Sequence, residues 1–208
     1  MLIVGAKGCA KDLLEILHVN EYERDIYFYD DVSDDVPDLI YGRFPVIRSI
    51  DEAALLFTKN PEFSLGVGNP KIRKELLDKM RSIGGKIVTV LSKDAKIGHF
   101  NTLIGDGVIV SGGVHITNDV SIGTGTLINL NCTISHDVTI SEFCELRPGA
   151  HITGHVKMGS FCNIGAGAVI LPRIILGDNV TVGAGAVVTR NVEDNVTVVG
   201  VPAKVLMK

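Results

Sequence analysis

Two hydrophobic rhythms run along the chain. In the first ninety residues short apolar runs alternate with amphipathic stretches. Leu2 to Ala6 is an unbroken apolar run that meets the glycine turn Gly5-Ala6-Lys7-Gly8, and residues 11–19 follow with helical spacing. Residues 26–29 predict a second strand, ending in Asp30-Asp31. Residues 51–57 predict a helix and 63–67 a strand; after the turn Gly66-Val67-Gly68-Asn69-Pro70 come a helix through Met80 and a strand over 86–91. Strands alternating with helices imply a small parallel sheet, a Rossmann-like α/β unit.

From Ile104 onward the rhythm changes. Every sixth residue to Val188 is aliphatic, and four residues after each comes a small or β-branched one, from Val108 to Ala186. A period of six fits neither an α-helix, at about 3.6, nor a single strand, at 2. It predicts a parallel β-helix, in which three short strands make one triangular coil of about eighteen residues. Aliphatic side chains fill the prism and small ones let each corner close. Glycine follows the aliphatic residue at 105, 123, 159, 165, 177 and 183, which the pattern attributes to tight turning. A partial repeat, Ala95 to Gly98, opens the β-helix with a one-residue irregularity. The expected domains are 1–92 and 93–208.

Composition narrows the function. With 208 residues, a formal charge of −4 and 21 % charged residues, there is no basic stripe for nucleic acid and no acidic tail. No apolar run reaches the length of a membrane span, and the opening strand lacks a basic leader, so the expectation is a cytoplasmic protein without membrane contact. Four cysteines without paired spacing make no disulfide framework. Cys132, Cys144 and Cys162 all fall in the small inward slot, where a reduced thiol serves as a small hydrophobe.

Two groups of residues carry chemistry. A strand, then Gly5-Ala6-Lys7-Gly8, then a helix presents backbone N–H groups and a positive dipole end to a phosphate. Gly68 and Asn69 belong to the matching second turn, and Asp30 and Asp31 stand where they would accept hydrogen bonds from a ribose or base. The turn is not the full dinucleotide fingerprint, so close packing alone is the competing explanation, as is solvation for the two carboxylates. In the β-helix, residues eighteen apart stack, so His136, Asp137, Gly154 and His155 should cluster on two adjacent coils. Acyl transfer from a thioester needs a base for the acceptor proton and a donor for the oxyanion, which a histidine and a backbone N–H supply. A zinc site built from His151, His155 and His136 would need residues at different phases of the repeat, so no metal is expected. Cys9 as a nucleophile has no histidine near it in sequence.

The stretch Asn131-x-x-x-x-His136-Asp137-x-x-Ile140, with Arg147-Pro148-Gly149-Ala150-His151-Ile152-Thr153-Gly154, resembles the NeuD/PglD-type family of sialic acid O-acetyltransferases and UDP-4-amino-sugar N-acetyltransferases. Gly5, Gly8 and Lys11 match its opening turn, and Val199-Gly200-Val201-Pro202-Ala203-Lys204 matches the tail of hexapeptide acetyltransferases. The resemblance implies a left-handed β-helix, a homotrimer with sites between prisms, and acetyl-CoA as co-substrate. It makes His136 the general base, Asp137 its acidic partner and Gly154 a backbone contact to acetyl-CoA. It runs the cofactor along Gly165, Ala166, Gly183 and Ala184, with Arg190 and Lys204 near the CoA phosphates. Many members carry a second histidine where this chain has Glu145, a position that tends to contact the acetyl donor. The expected reaction is N-acetylation of a UDP-4-amino-sugar by direct transfer. O-acetylation of a sialic acid and non-catalytic binding of a sugar nucleotide are the alternatives.

Overall fold

The computed structural model describes residues 1–22 and 24–206. The chain divides into two compact units, Met1–Val90 and Leu91–Lys208.

The first unit runs β1 (Leu2–Val4), α1 (Gly8–Val19), β2 (Tyr27–Tyr29), β3 (Leu39–Ile40), β4 (Phe44–Ile47), α2 (Ile50–Phe57), β5 (Glu62–Leu65), α3 (Pro70–Ser82) and β6 (Lys86–Ile87). Its sheet has the order β3-β4-β2-β1-β5-β6, parallel except for the β3–β4 hairpin. The β1 strand lies between β2 and β5 with Ile3 opposite Phe28 and Ser64, and all three of its residues are fully buried, which is why it reads as an unbroken apolar run. Two helix starts carry side-chain caps. Ser49 accepts from the Asp51 N–H at 3.2 Å, and Asn69 accepts from Lys71 N–H (3.0 Å) and Ile72 N–H (3.2 Å) ahead of Pro70 at the first turn. The start of α1, three residues earlier than its sequence spacing suggests, has no side-chain cap.

Two expectations change here. The β3–β4 hairpin is absent from the sequence reading, because β3 is only two residues long and Pro45 removes an N–H from β4. The strand expected over 86–91 is two: Lys86–Ile87 edges the first sheet, and Val90–Leu91 ends a sheet of the β-helix.

The second unit is a left-handed parallel β-helix with three faces. The first face runs through Ile109–Val110, Leu127–Ile128, Glu145–Leu146, Asn163–Ile164 and Thr181–Val182. The second runs through Lys96–Ile97, His115–Ile116, Thr133–Ile134, His151–Ile152, Val169–Ile170 and Val187–Val188. The third runs through Leu103–Ile104, Ser121–Ile122, Thr139–Ile140, Lys157–Met158 and Ile175–Leu176. From Leu103 to Val188 partners are eighteen residues apart, as in Glu145 opposite Leu127 and Asn163, while Lys96 and His115 are nineteen apart, the one-residue irregularity at the first coil. The aliphatic and small positions of the repeat form one buried core. The inward cysteines form no disulfide, and each thiol donates to a carbonyl in the next coil: Cys132 to Arg147, Cys144 to Gly159 and Cys162 to Gly177, each at 3.1 Å.

The glycines that follow the aliphatic positions have a different reason from the one expected. None has a positive φ. A Cβ on Gly123 would lie 2.6 Å from the backbone N of Glu142, and one on Gly165 would lie 2.4 Å from that of Ala184, so these residues are small because the next coil stacks directly on them. The turning is done two residues later. Every sixth residue from Asn101 to Gly185 is left-handed, and four of these, Phe143, His155, Phe161 and Arg173, are neither glycine nor Asn/Asp.

Candidate active site

In the first unit the carboxyl ends of β1, β2 and β5 open on a cavity of about 700 Å³. Gly5 fixes its floor. Its φ of +106° and the Gly66 carbonyl, 2.8 Å from where a Cβ would sit, exclude a side chain. The Gly5 N–H donates to the Tyr29 carbonyl at 2.7 Å, so this amide serves the sheet; beyond it, the start of α1 has no side-chain cap. Ala6, Lys7, Gly8 and Cys9 line the cavity with Asp30, Asp31 and Gly68. Lys7 pairs with Asp35 at 2.8 Å, which holds its ammonium above the usual lysine range. Asp30 is buried, and its Oδ1 accepts from the N–H groups of Val32 (3.3 Å) and Ser33 (2.9 Å), closing the loop after β2. Asp31 accepts from the Tyr29 hydroxyl at 2.8 Å and from Lys79. Burial pushes its pKa up, but the bonds from Lys79 and Tyr29 outweigh this and hold the carboxyl below its ordinary range. Asn69 does not line the cavity; its side chain is spent on the helix cap.

The sequence reading misses one wall. Ile72, Glu75, Leu76 and Lys79 of α3 line the cavity, and their spacing of three, one and three puts them on one helix face. It also misses Arg73, 1 % exposed, whose guanidinium donates to the Gly68 and Val67 carbonyls and fixes the second glycine turn.

In the β-helix, His136 and Asp137 turn the corner between the second and third faces. His136 Nδ1 and Asp137 Oδ2 are 2.7 Å apart. One coil on, Gly154 lies under the imidazole: a Cβ there would come within 2.9 Å of Cε1 and 3.1 Å of Nε2 of His136. The His155 ring stands edge-on to that of His136, with centroids 5.3 Å apart, and its Nδ1 is 3.8 Å from Asp137 Oδ2. The hydrogen bond from His136 is the main reason the exposed Asp137 carboxyl lies below its usual value. With Nδ1–H donated to the carboxylate, Nε2 is left as the lone pair that can accept a proton. Arg190 continues this edge three coils, about 14 Å, beyond His136. His151 is not part of the cluster; its Nδ1 meets Thr133 Oγ1 at 2.8 Å on the second face.

The remaining expected cofactor contacts lie elsewhere on the same chain. Glu145 is on the first face, opposite the histidine edge, 6 % exposed and 3.7 Å from Arg147. Gly165, Ala166, Gly183 and Ala184 follow the edge between the first and second faces, and Lys204 lies on the strand Lys204–Val205 added to the first face. One chain therefore does not gather them into a single groove with His136.

Residues 1–80 match the family model described as PglD N-terminal domain, and residues 155–190 match bacterial transferase hexapeptide (six repeats). No curated protein matches the chain in sequence. Among solved structures, a histidine variant of perosamine N-acetyltransferase from Caulobacter crescentus, in complex with CoA and GDP-perosamine, is 28 % identical, with a TM-score of 0.90 over 100 % of this chain and 96 % of that one. The acetyltransferase domain of PglB from Neisseria gonorrhoeae, in complex with acetyl coenzyme A, is 29 % identical, with a TM-score of 0.91 over 99 % and 98 %. WeeI from Acinetobacter baumannii is 27 % identical, with a TM-score of 0.88 over 99 % and 98 %. Fold and site together define a hexapeptide-repeat acyltransferase, an enzyme class that takes its acyl group from a CoA thioester. Within that class the chain is similar to the NeuD/PglD-type sugar acetyltransferases, and its first eighty residues carry the PglD N-terminal domain.

Proposed function

We propose that the chain transfers the acetyl group of acetyl-CoA to the amine of a nucleotide-linked amino sugar, a UDP-4-amino-sugar in the first instance. The observation that carries the reading is the His136–Asp137 contact of 2.7 Å with Gly154 beneath the ring. The amine attacks the thioester carbonyl while His136 Nε2 takes its proton. The C–S bond then breaks, and the imidazolium returns that proton to the leaving CoA thiolate. Asp137 keeps the imidazole in the right tautomer and stabilises its charged form, and the Gly154 N–H meets the carbonyl oxygen as charge develops there. The cavity of the first unit takes the nucleotide, with the uncapped start of α1 facing its phosphates.

The reading also requires a homotrimer. Glu145, Gly165, Ala166, Gly183 and Ala184 lie away from the histidine edge of their own chain, so a neighbouring copy presents them to His136. Buried reduced thiols and a metabolite substrate agree with a cytoplasmic enzyme.

The test is release of free CoA in the presence of UDP- and GDP-linked 4-amino-sugars and sialic acids. Release with one nucleotide-linked acceptor, lost by at least about 100-fold in His136→Ala, is expected. Release only with a sialic acid moves the reaction to O-acetylation, and release undiminished in the variant removes His136 as the base.

A further inference from the structure

His155 has no part in the transfer described above, yet it occupies a costly position. Its φ is +61°, in a corner column whose preceding members are Asp119 and Asp137, residue types that adopt this conformation more easily. Its ring is turned towards the His136–Asp137 pair. Among the described residues, His136, Asp137 and His155 are the one group of three in which each offers a ligand atom within 4.8 Å of the others. Two imidazole nitrogens and one carboxylate oxygen, all on exposed side chains, form a donor set suited to a borderline metal ion.

We infer that His136, Asp137 and His155 bind a divalent cation of the zinc class, and that the bound ion occupies the catalytic base. Donors around a tetrahedral zinc lie about 3.3 Å apart, given metal–ligand distances of about 2.0–2.1 Å. The separations here of 2.7 Å (His136–Asp137) and 3.8 Å (His155–Asp137) bracket that value. Each needs a change of about 0.5 Å, which side-chain torsion supplies at an exposed corner. Three protein ligands leave a fourth position for water. Bound at His136 Nδ1, the cation displaces the Asp137 hydrogen bond and shifts the ring proton to Nε2, which can then no longer accept one, so turnover stops while the fold is untouched. The inhibition, though not the binding, rests on the reading of His136 as the base.

The full-length protein titrated with Co²⁺ tests the binding by calorimetry and by the visible absorption of low-coordinate cobalt, with Zn²⁺ as competitor and inhibitor. His155→Asn is the informative variant, because asparagine tolerates the left-handed corner and keeps His136 and Asp137. Expected are one equivalent of Co²⁺ displaced by Zn²⁺, and in the variant unchanged CoA release, about tenfold or greater loss of Co²⁺ affinity, and about tenfold more Zn²⁺ for half-inhibition. No Co²⁺ binding to the parent protein overturns the inference, as does affinity undiminished in His155→Asn. Should no acceptor support CoA release, the cobalt titration still decides the metal site while the acetyltransferase reading fails by itself.

Discussion

Asp137 accepts one strong hydrogen bond and stands at φ +60°, which frees its carboxylate from the strand ladder and turns it back on His136. The bond from His136 is the first cause of its lowered pKa, and the weaker attraction of His155 adds to it. A carboxyl lowered in the folded state favours folding above its ordinary value near 3.8, and that contribution disappears as the pH falls through the lower folded value. The pair therefore stays assembled throughout the neutral and mildly acid range. In a carboxyl NMR titration Asp137 should give a midpoint below 3.8 and move up towards it in His136→Ala. A midpoint unmoved by the substitution would mean that the hydrogen bond is not what holds the carboxylate. Stacking of residues eighteen apart makes the neighbourhood of His136, Asp137, Gly154 and His155 legible in the sequence. What it conceals is why residue 154 is glycine: the imidazole lying across it is a side-chain arrangement that no period encodes.

Elements show the same division between pattern and packing. The prism is written in the repeat, because a buried aliphatic ladder requires an inward residue at fixed intervals. The α3 wall of the cavity and the buried Arg73 are harder to read, since a charged residue inside a helix is normally a solvated one. Gly66 shows how tightly the nucleotide side is built. It follows β5 and donates to the Val4 carbonyl at 2.8 Å, and a Cβ there would stand 2.6 Å from both Cα and Cβ of Ala10. Gly66→Ala must therefore push α1 off the sheet and move its N-terminal amides, an overpacking cost of about 1–3 kcal/mol. All four tyrosines lie in the first unit and the chain has no tryptophan, so the near-ultraviolet tyrosine signal follows this unit by itself. That signal should melt earlier in the variant. An unchanged transition would show that α1 has slack that the contact distances deny.

For the molecule as a whole, the arrangement of the two β-helix edges decides where a complete site can form. Each chain carries the histidine edge and the small-residue edge on different corners of one prism, and rigid stacked coils cannot fold one corner onto another. If the acetyl donor needs both, the site is shared between copies, and two differently disabled chains can repair one another. His136→Ala disables the first edge. Ala166→Trp, at an exposed position between Gly165 and Gly167, blocks the second without entering the core. Each variant alone should be nearly inactive. Co-expressed in equal amounts, they should recover about a quarter of the native rate, because in a ring each interface draws one edge from each of two chains and both are intact in about one pairing of four. A site contained within one chain gives the opposite result, since no chain in the mixture is whole and the activity stays at the level of the separate variants. Recovery on mixing would thus locate the small-residue edge on the donor side of a neighbour's His136, and its absence would require the thioester to reach His136 along the histidine edge itself, past Gly154 towards Arg190.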